Sequence, residues 1–129
     1  MFLSVLALAM AAPPCTLPRE LAGWTRASEG LDTRHATLLD PKAGRIETMV
    51  TIRKAGVFGI ALDREGWIDI SAVKGKKLRM VSQNRGPRCS TIRKIVRYRL
   101  QPGAYLVTVA KLDAKRVRLM LVHGLPAWR

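Results

Sequence analysis

From Arg45 to His123 the chain alternates apolar and polar residues with a period of two, and a turn signal interrupts it about every ten residues. Ile46, Thr48, Val50 and Ile52 alternate with Glu47, Met49, Thr51 and Arg53. Phe58, Ile60 and Leu62 alternate with small residues, and Ile68 and Ile70 share a face after the turn Asp63-Arg64-Glu65-Gly66. Leu78–Val81 follows the turn Lys74-Gly75-Lys76-Lys77, and Asn84-Arg85-Gly86-Pro87 reads as a loop. Ile92, Val96, Tyr98 and Leu100 point one way, with Arg93, Ile95, Arg97 and Arg99 opposite and Lys94 breaking the inward set. Gln101-Pro102-Gly103 turns into Ala104–Ala110, and Val117, Leu119 and Leu121 share a face of the last segment. Side chains on a strand point alternately to its two faces, so such segments are half-buried strands. No stretch keeps a helical period over roughly ten residues. The pattern predicts an all-β fold, an antiparallel sandwich of jelly-roll-like character with about seven to eight short strands.

At 129 residues the chain is one domain in size. Residues 2–12 are apolar and uncharged, too short to span a bilayer and suited to the core of a secretory signal peptide, although no Lys or Arg precedes them. Ala9-Met10-Ala11 offers a cleavage site, so residues 1–11 are read as the signal peptide. A buried first strand or helix is the other reading. Residues 12–44 carry Pro13, Pro14, Pro18 and Pro41 and read as an irregular arm, with one short helical turn in Leu17–Trp24 and one strand near Thr37–Leu39. Residues 45–129 are the sandwich. Two cysteines behind a signal peptide predict a disulfide between Cys15 and Cys89 that pins the arm to the domain. In a cytosolic protein they are instead two free buried thiols.

The charge is unevenly divided. Residues 1–73 hold eight Lys/Arg and eight Asp/Glu, whereas residues 74–129 hold fifteen Lys/Arg and a single acid, Asp113, so the net charge of +14 belongs to the second half. Such a segment repels itself when compact, and an anionic partner relieves that cost. The candidate anion-binding residues are Lys74, Lys76, Lys77 and Arg79 around one turn, Arg85 and Arg88 in another, Arg93, Arg97 and Arg99 on one strand face, and Arg116 and Arg118 on the last strand. Guanidinium groups grip phosphate, sulfate and carboxylate as a fork. The bland reading is a basic surface that keeps the protein dispersed. Base stacking needs aromatics interleaved with the charges, and at 5% aromatic residues only Tyr98 is a candidate. Nucleic acid therefore ranks below an anionic glycan or lipid surface.

Ala55–Leu62 matches Pro102–Val109 at an offset of 47, both reading Gly-x-aromatic-x-aliphatic-x-aliphatic and each followed by an Asp-containing turn and another strand. Two such hairpins packed face to face build a sandwich with pseudo-twofold character. The paired strands look like the jelly-roll accessory domains of secreted bacterial proteins, including the pre-peptidase C-terminal type. More closely, over about residues 45–122, Ala55-Gly56-Val57-Phe58, Trp67-Ile68-Asp69-Ile70, Gly86–Lys94 and Leu100–Tyr105 resemble a group of small exported bacterial proteins, some named homogentisate 1,2-dioxygenase. The resemblance implies a sandwich fold and export. The dioxygenase name implies an iron site of two His and one carboxylate. The only histidines here, His35 and His123, lie far apart in sequence with no His-x-His pair.

Other chemistry is sparse. Cys89 and Ser90 sit beside a Gly-Pro turn with no His near in sequence, so a triad with His123 and Asp69 has no positive signal. Asp63, Glu65 and Asp69 supply carboxylates for glycoside hydrolysis, but two of them are turn residues. No metal set and no cofactor is expected. Trp67 and Asp69 face away from the core and form a possible sugar-stacking pair, although a Trp67 covered by the arm near Trp24 is the favoured reading. The expected function is a non-catalytic, periplasmic or secreted binding module that contacts an anionic envelope component through its basic half. The alternatives are a metal-dependent oxygenase and a structural subunit of an envelope assembly.

Overall fold

The computed structural model describes residues 15–124, so the expected signal peptide at 1–11 lies outside the described residues. A 3-10 helix, Arg19–Thr25, opens the described chain. Eight strands follow: β1 Thr37–Leu39, β2 Ile46–Ile52, β3 Gly56–Leu62, β4 Trp67–Ala72, β5 Ser82–Asn84, β6 Lys94–Leu100, β7 Gly103–Ala110 and β8 Val117–His123. They form two antiparallel sheets, one of five strands in the order β1-β8-β3-β6-β5 and one of three in the order β2-β7-β4. The all-β sandwich with an irregular N-terminal region is thus the fold. The arm is also part of it, because β1 pairs with β8.

Among the described residues only β5 and β6 are consecutive strands that pair, and the other connections cross between the sheets. The segments read as repeats are β3 and β7, the central strands of opposite sheets. Their following turns are not hairpins: residues 63–66 carry the chain from β3 in one sheet to β4 in the other. Leu78–Val81 is likewise no strand but the crossing between sheets, and the short β5 forms just after it, partly within the segment read as a loop.

The main core lies between the sheets. Ile46, Val50 and Ile52 of β2, Val107 and Val109 of β7 and Ile68 and Ile70 of β4 face Ile60 and Leu62 of β3, Val96 and Leu100 of β6 and Leu119 and Leu121 of β8. Tyr98 is buried among them and donates its hydroxyl proton to the Ile68 carbonyl at 3.1 Å. A second, smaller core sits on the other face of the five-stranded sheet. Ala61, Ile95, Met120 and Val122 meet Leu21 and Trp24 of the 3-10 helix, with Ile92 beside them. The helical part of the arm therefore makes a third layer, while Leu31 further along joins the main core, and Cys15–Cys89 closes the outer layer's far edge with Cα atoms 5.3 Å apart.

That layer corrects one expectation. Arg97 was expected on a solvent face, but it lies under the arm with 0% of its surface exposed. Its Nε donates to the Gly124 carbonyl (2.8 Å) and its Nη1 to Asn84 Oδ1 (2.6 Å). Burial pushes its pKa below the ordinary value, and nearby Glu20 of the helix opposes that shift. Space for the arginine comes from Gly59: a Cβ there would stand 2.9 Å from Ile95 Cγ2 and 3.0 Å from Arg97 Cγ.

Candidate functional site

The register of β3 defines two ends of the sandwich, roughly 20 Å apart for seven residues of strand. At the Leu62 end, the β3–β4 turn and the β5–β6 loop enclose a cleft of about 950 Å³. Four arginines line it, Arg64 from the turn and Arg85, Arg88 and Arg93 from the loop, together with Ser90 and Thr91. Among the described residues none of the four has an ion-pair partner. The single carboxylate in the lining, Asp63, accepts the backbone N–H of Arg118 at 3.0 Å.

The walls are fixed from several sides. Arg93 donates its backbone N–H to the Leu62 carbonyl (2.9 Å), and Lys94 donates from Nζ to the Gly66 carbonyl (2.7 Å), so turn and loop are tied to each other. This accounts for the lysine that interrupts the inward set of β6. Within the loop, Ser90 donates both its N–H (2.9 Å) and its hydroxyl proton (2.7 Å) to the Pro87 carbonyl. Gly86 lets the loop fold back on itself, since a Cβ there would meet Ile92 Cβ at 2.5 Å. The arm secures the back of the loop through the disulfide at Cys89 and through Trp24, whose indole N–H donates to Thr91 Oγ1 at 2.9 Å. A cluster of guanidinium groups on a braced loop has less conformational freedom to lose on binding an anion.

The other predicted cations are dispersed. Arg116 bonds Asp40 (2.9 Å), and that bond together with the arginine's charge holds the Asp40 carboxyl below its usual range. Arg118 is half-buried, donates to the Trp24 carbonyl at 2.7 Å and lies over the Trp24 ring, so it holds the arm. Arg99 is exposed near the end of β6, and Lys74, Lys76, Lys77 and Arg79 belong to the β4–β5 connection at the end opposite the cleft. Of the predicted set, the fold gathers Arg85, Arg88 and Arg93. Arg64 was missed because it lies in the electrically neutral half of the sequence; its only signal is its place in a turn.

Trp67 is not covered by the arm, which lies on the other sheet with Trp24. It stands on the outer face of the three-stranded sheet, 55% exposed. Its indole N–H donates to Asp69 Oδ2 at 3.1 Å, Lys77 Nζ lies 3.4 Å from the same oxygen, and Lys111 Nζ sits 5.2 Å from the ring centroid.

The histidines are far from the cleft and from each other in role. His123 is exposed at the Gly56 end of β3, with its ring 4.9 Å from that of Phe58. His35 donates from Nε2 to the carbonyls of Glu29 and Gly30 (2.9 and 3.1 Å). Ser90 and His123 lie at opposite ends of the sandwich, so no triad assembles from them. Among the described residues no three His, Cys, Asp or Glu side chains gather where they could share a metal ion. A second cleft of about 940 Å³ opens beside His123, with Arg34, Arg53 and Lys54 in its lining, but Asp32 is among them and Val50, Ile52 and Leu121 give it an apolar floor.

No protein-family model, curated protein or solved structure matches this chain. Among the described residues no helix is long and apolar enough to cross a membrane.

Proposed function

We propose that the protein is an exported, non-catalytic binding module that holds an anionic group of an envelope component in the cleft formed by Arg64, Arg85, Arg88 and Arg93. The group is a phosphate, sulfate or uronate carried by a glycan or a lipid head. One observation carries this reading: four arginines line a cleft in which the one carboxylate among the described residues is already engaged by a backbone N–H. Guanidinium forks suit tetrahedral and planar oxyanions, and an anion in the cleft relieves the mutual repulsion of the cations around it. The disulfide supports export, because such bonds persist in oxidising compartments. The apolar N-terminal run and the resemblance to small exported proteins point to the same periplasmic or secreted location.

The test is chromatography of the oxidised protein on an immobilised sulfated polysaccharide, developed with a salt gradient. The paired substitution Arg85→Gln with Arg88→Gln should elute at clearly lower salt while keeping the native melting temperature, since both side chains are exposed. Substituting Arg116 and Lys115, exposed cations elsewhere, should shift elution much less. Equal shifts from the two pairs would mean that overall charge, and not the cleft, binds the polymer.

A further inference from the structure

The two ends of the sandwich differ in charge. At the Leu62 end the connections carry Asp40, Asp63, Glu65 and Asp113 among their cations. At the Gly56 end, the β2–β3, β4–β5 and β6–β7 connections contain no acidic residue, and they carry Arg53, Lys54, Lys74, Lys76, Lys77 and Arg79, all exposed, although Asp32 of the arm lines a cleft with Arg53 and Lys54. The one nearby carboxylate in ion-pair contact is Asp69, on Lys77.

The β4–β5 connection, residues 73–81, adds a second property. It is a held segment and not a loose one. Gly75 donates its N–H to the Ala72 carbonyl (2.9 Å), Leu78 to Ile70 (2.8 Å) and Val81 to Arg97 (2.7 Å), while the Leu78 side chain packs against the main core. Yet Val73, Met80 and Val81 are turned to solvent, 56%, 51% and 42% exposed. Half of the six large apolar side chains exposed among the described residues fall in these nine positions, interleaved with Lys74, Lys76, Lys77 and Arg79. Isolated exposed apolar residues are ordinary; three of them on one fixed, acid-free, basic segment are not.

We propose that residues 73–81 dock the protein on an anionic lipid bilayer, the lysines and Arg79 contacting head groups while Val73, Met80 and Val81 enter the interfacial region. Charge opposes pairing of this segment with the same segment of a second copy, since its four cations would face one another. A hydrated glycan matches the charges but offers the three apolar side chains nothing. A bilayer interface satisfies both, by electrostatic attraction of the cations and burial of apolar surface. This docking goes beyond the cleft and is independent of it. With the 73–81 end on the membrane, the arginine cleft points away from the bilayer and stays open to a ligand from the aqueous side.

Co-sedimentation of the oxidised protein with vesicles tests this directly. Vesicles of phosphatidylcholine mixed with phosphatidylglycerol should bind the protein, pure phosphatidylcholine vesicles should not, and added salt should weaken the binding. Replacing Lys74 and Lys76 together by Gln should lower the vesicle affinity roughly tenfold or more. Val73→Ser with Met80→Ser and Val81→Ser, which leaves the charge unchanged, should lower it by about tenfold or more as well. The Arg85→Gln/Arg88→Gln protein should bind vesicles like the parent. Failure of the parent protein to bind mixed vesicles overturns the proposal. So does full binding by the serine variant, which would leave a purely electrostatic surface. Loss of vesicle binding in the Arg85/Arg88 variant would also overturn it, by placing the lipid head group in the cleft.

Discussion

Trp24 and Thr91, 67 residues apart in the chain, share one hydrogen bond, from the indole Nε1 to the threonine Oγ1 at 2.9 Å. It ties the buried ring of the arm to the loop that carries three of the four cleft arginines. Trp24→Phe keeps most of the buried ring and removes the donor. It should cost about 1 kcal/mol from the lost bond, with a further contribution from the smaller ring. Thr91→Val should cost a similar amount. In a urea-denaturation double-mutant cycle the two should couple, because each removes the same bond. Strict additivity would show that the bond contributes nothing to the fold.

The disulfide acts on the same region. Cys15 and Cys89 are 74 residues apart, and closing a loop of that length stabilises the chain by up to about 4–5 kcal/mol through the entropy of the unfolded state. Replacing both cysteines by Ser should lower the melting temperature, and hydrogen exchange should locate the loss. Amides of the 3-10 helix and of residues 85–93 should exchange faster than those of β2, β4 and β7, which lie on the far side of the main core from the 3-10 helix. A uniform increase across both sheets would contradict the assignment of the arm as a separate outer layer.

The face that carries this layer shows where the sequence was legible and where it was not. Alternation marked the inward residues of β2, β3, β4, β6 and β8, because one face of each sheet packs on the other sheet, but Ile92, read with the inward set ahead of β6, lies instead in the outer core beside the 3-10 helix. The outward set of β6 was misread. Ile95 and Arg97 share that face, and the arginines on either side suggested solvent. The apolar residues at equivalent outward positions, Met120 and Val122 of β8 and Ala61 of β3, carried the contrary signal of strands covered on both faces. Turn chemistry likewise marked residues 63–66 as a reversal without saying that the next strand joins the other sheet. The cleft depends on that crossing, which puts Arg64 in one lining with Arg85, Arg88 and Arg93. Spacing along a sequence does not encode such a meeting.

Arg97 is the charged residue most tightly bound into the structure. Arg97→Met removes the donors that serve Gly124 and Asn84 and leaves two acceptors in a covered region. The expected loss is about 2–4 kcal/mol in denaturant unfolding. Arg97→Lys should recover little of it, because an ammonium cannot reproduce the planar fork that spans the two acceptors. Near-parental stability of the methionine variant would show that these bonds only balance the desolvation of the charge.

Tyr98 links the main core to alkaline pH. Burial, aided by the negative charge of Asp69, pushes its hydroxyl from an ordinary value near 10 up to about 12. The folded chain therefore holds this proton to a higher pH than the unfolded chain does. The stability it confers is complete below about pH 10 and falls as pH rises from there towards 12. Unfolding midpoints measured across that window should drop more steeply for the parent than for Tyr98→Phe, which has no proton to lose. Identical slopes would place the alkaline transition elsewhere.

In the proposed function one arginine-lined cleft takes the anion. Amide chemical-shift mapping during a titration of the oxidised protein with inorganic pyrophosphate tests it most directly. Saturable shifts concentrated at residues 63–66 and 85–93, and abolished by Arg85→Gln with Arg88→Gln, are the predicted result. Shifts spread over all the exposed lysines and arginines, with no saturation, would contradict it and reduce the basic half to a general surface charge.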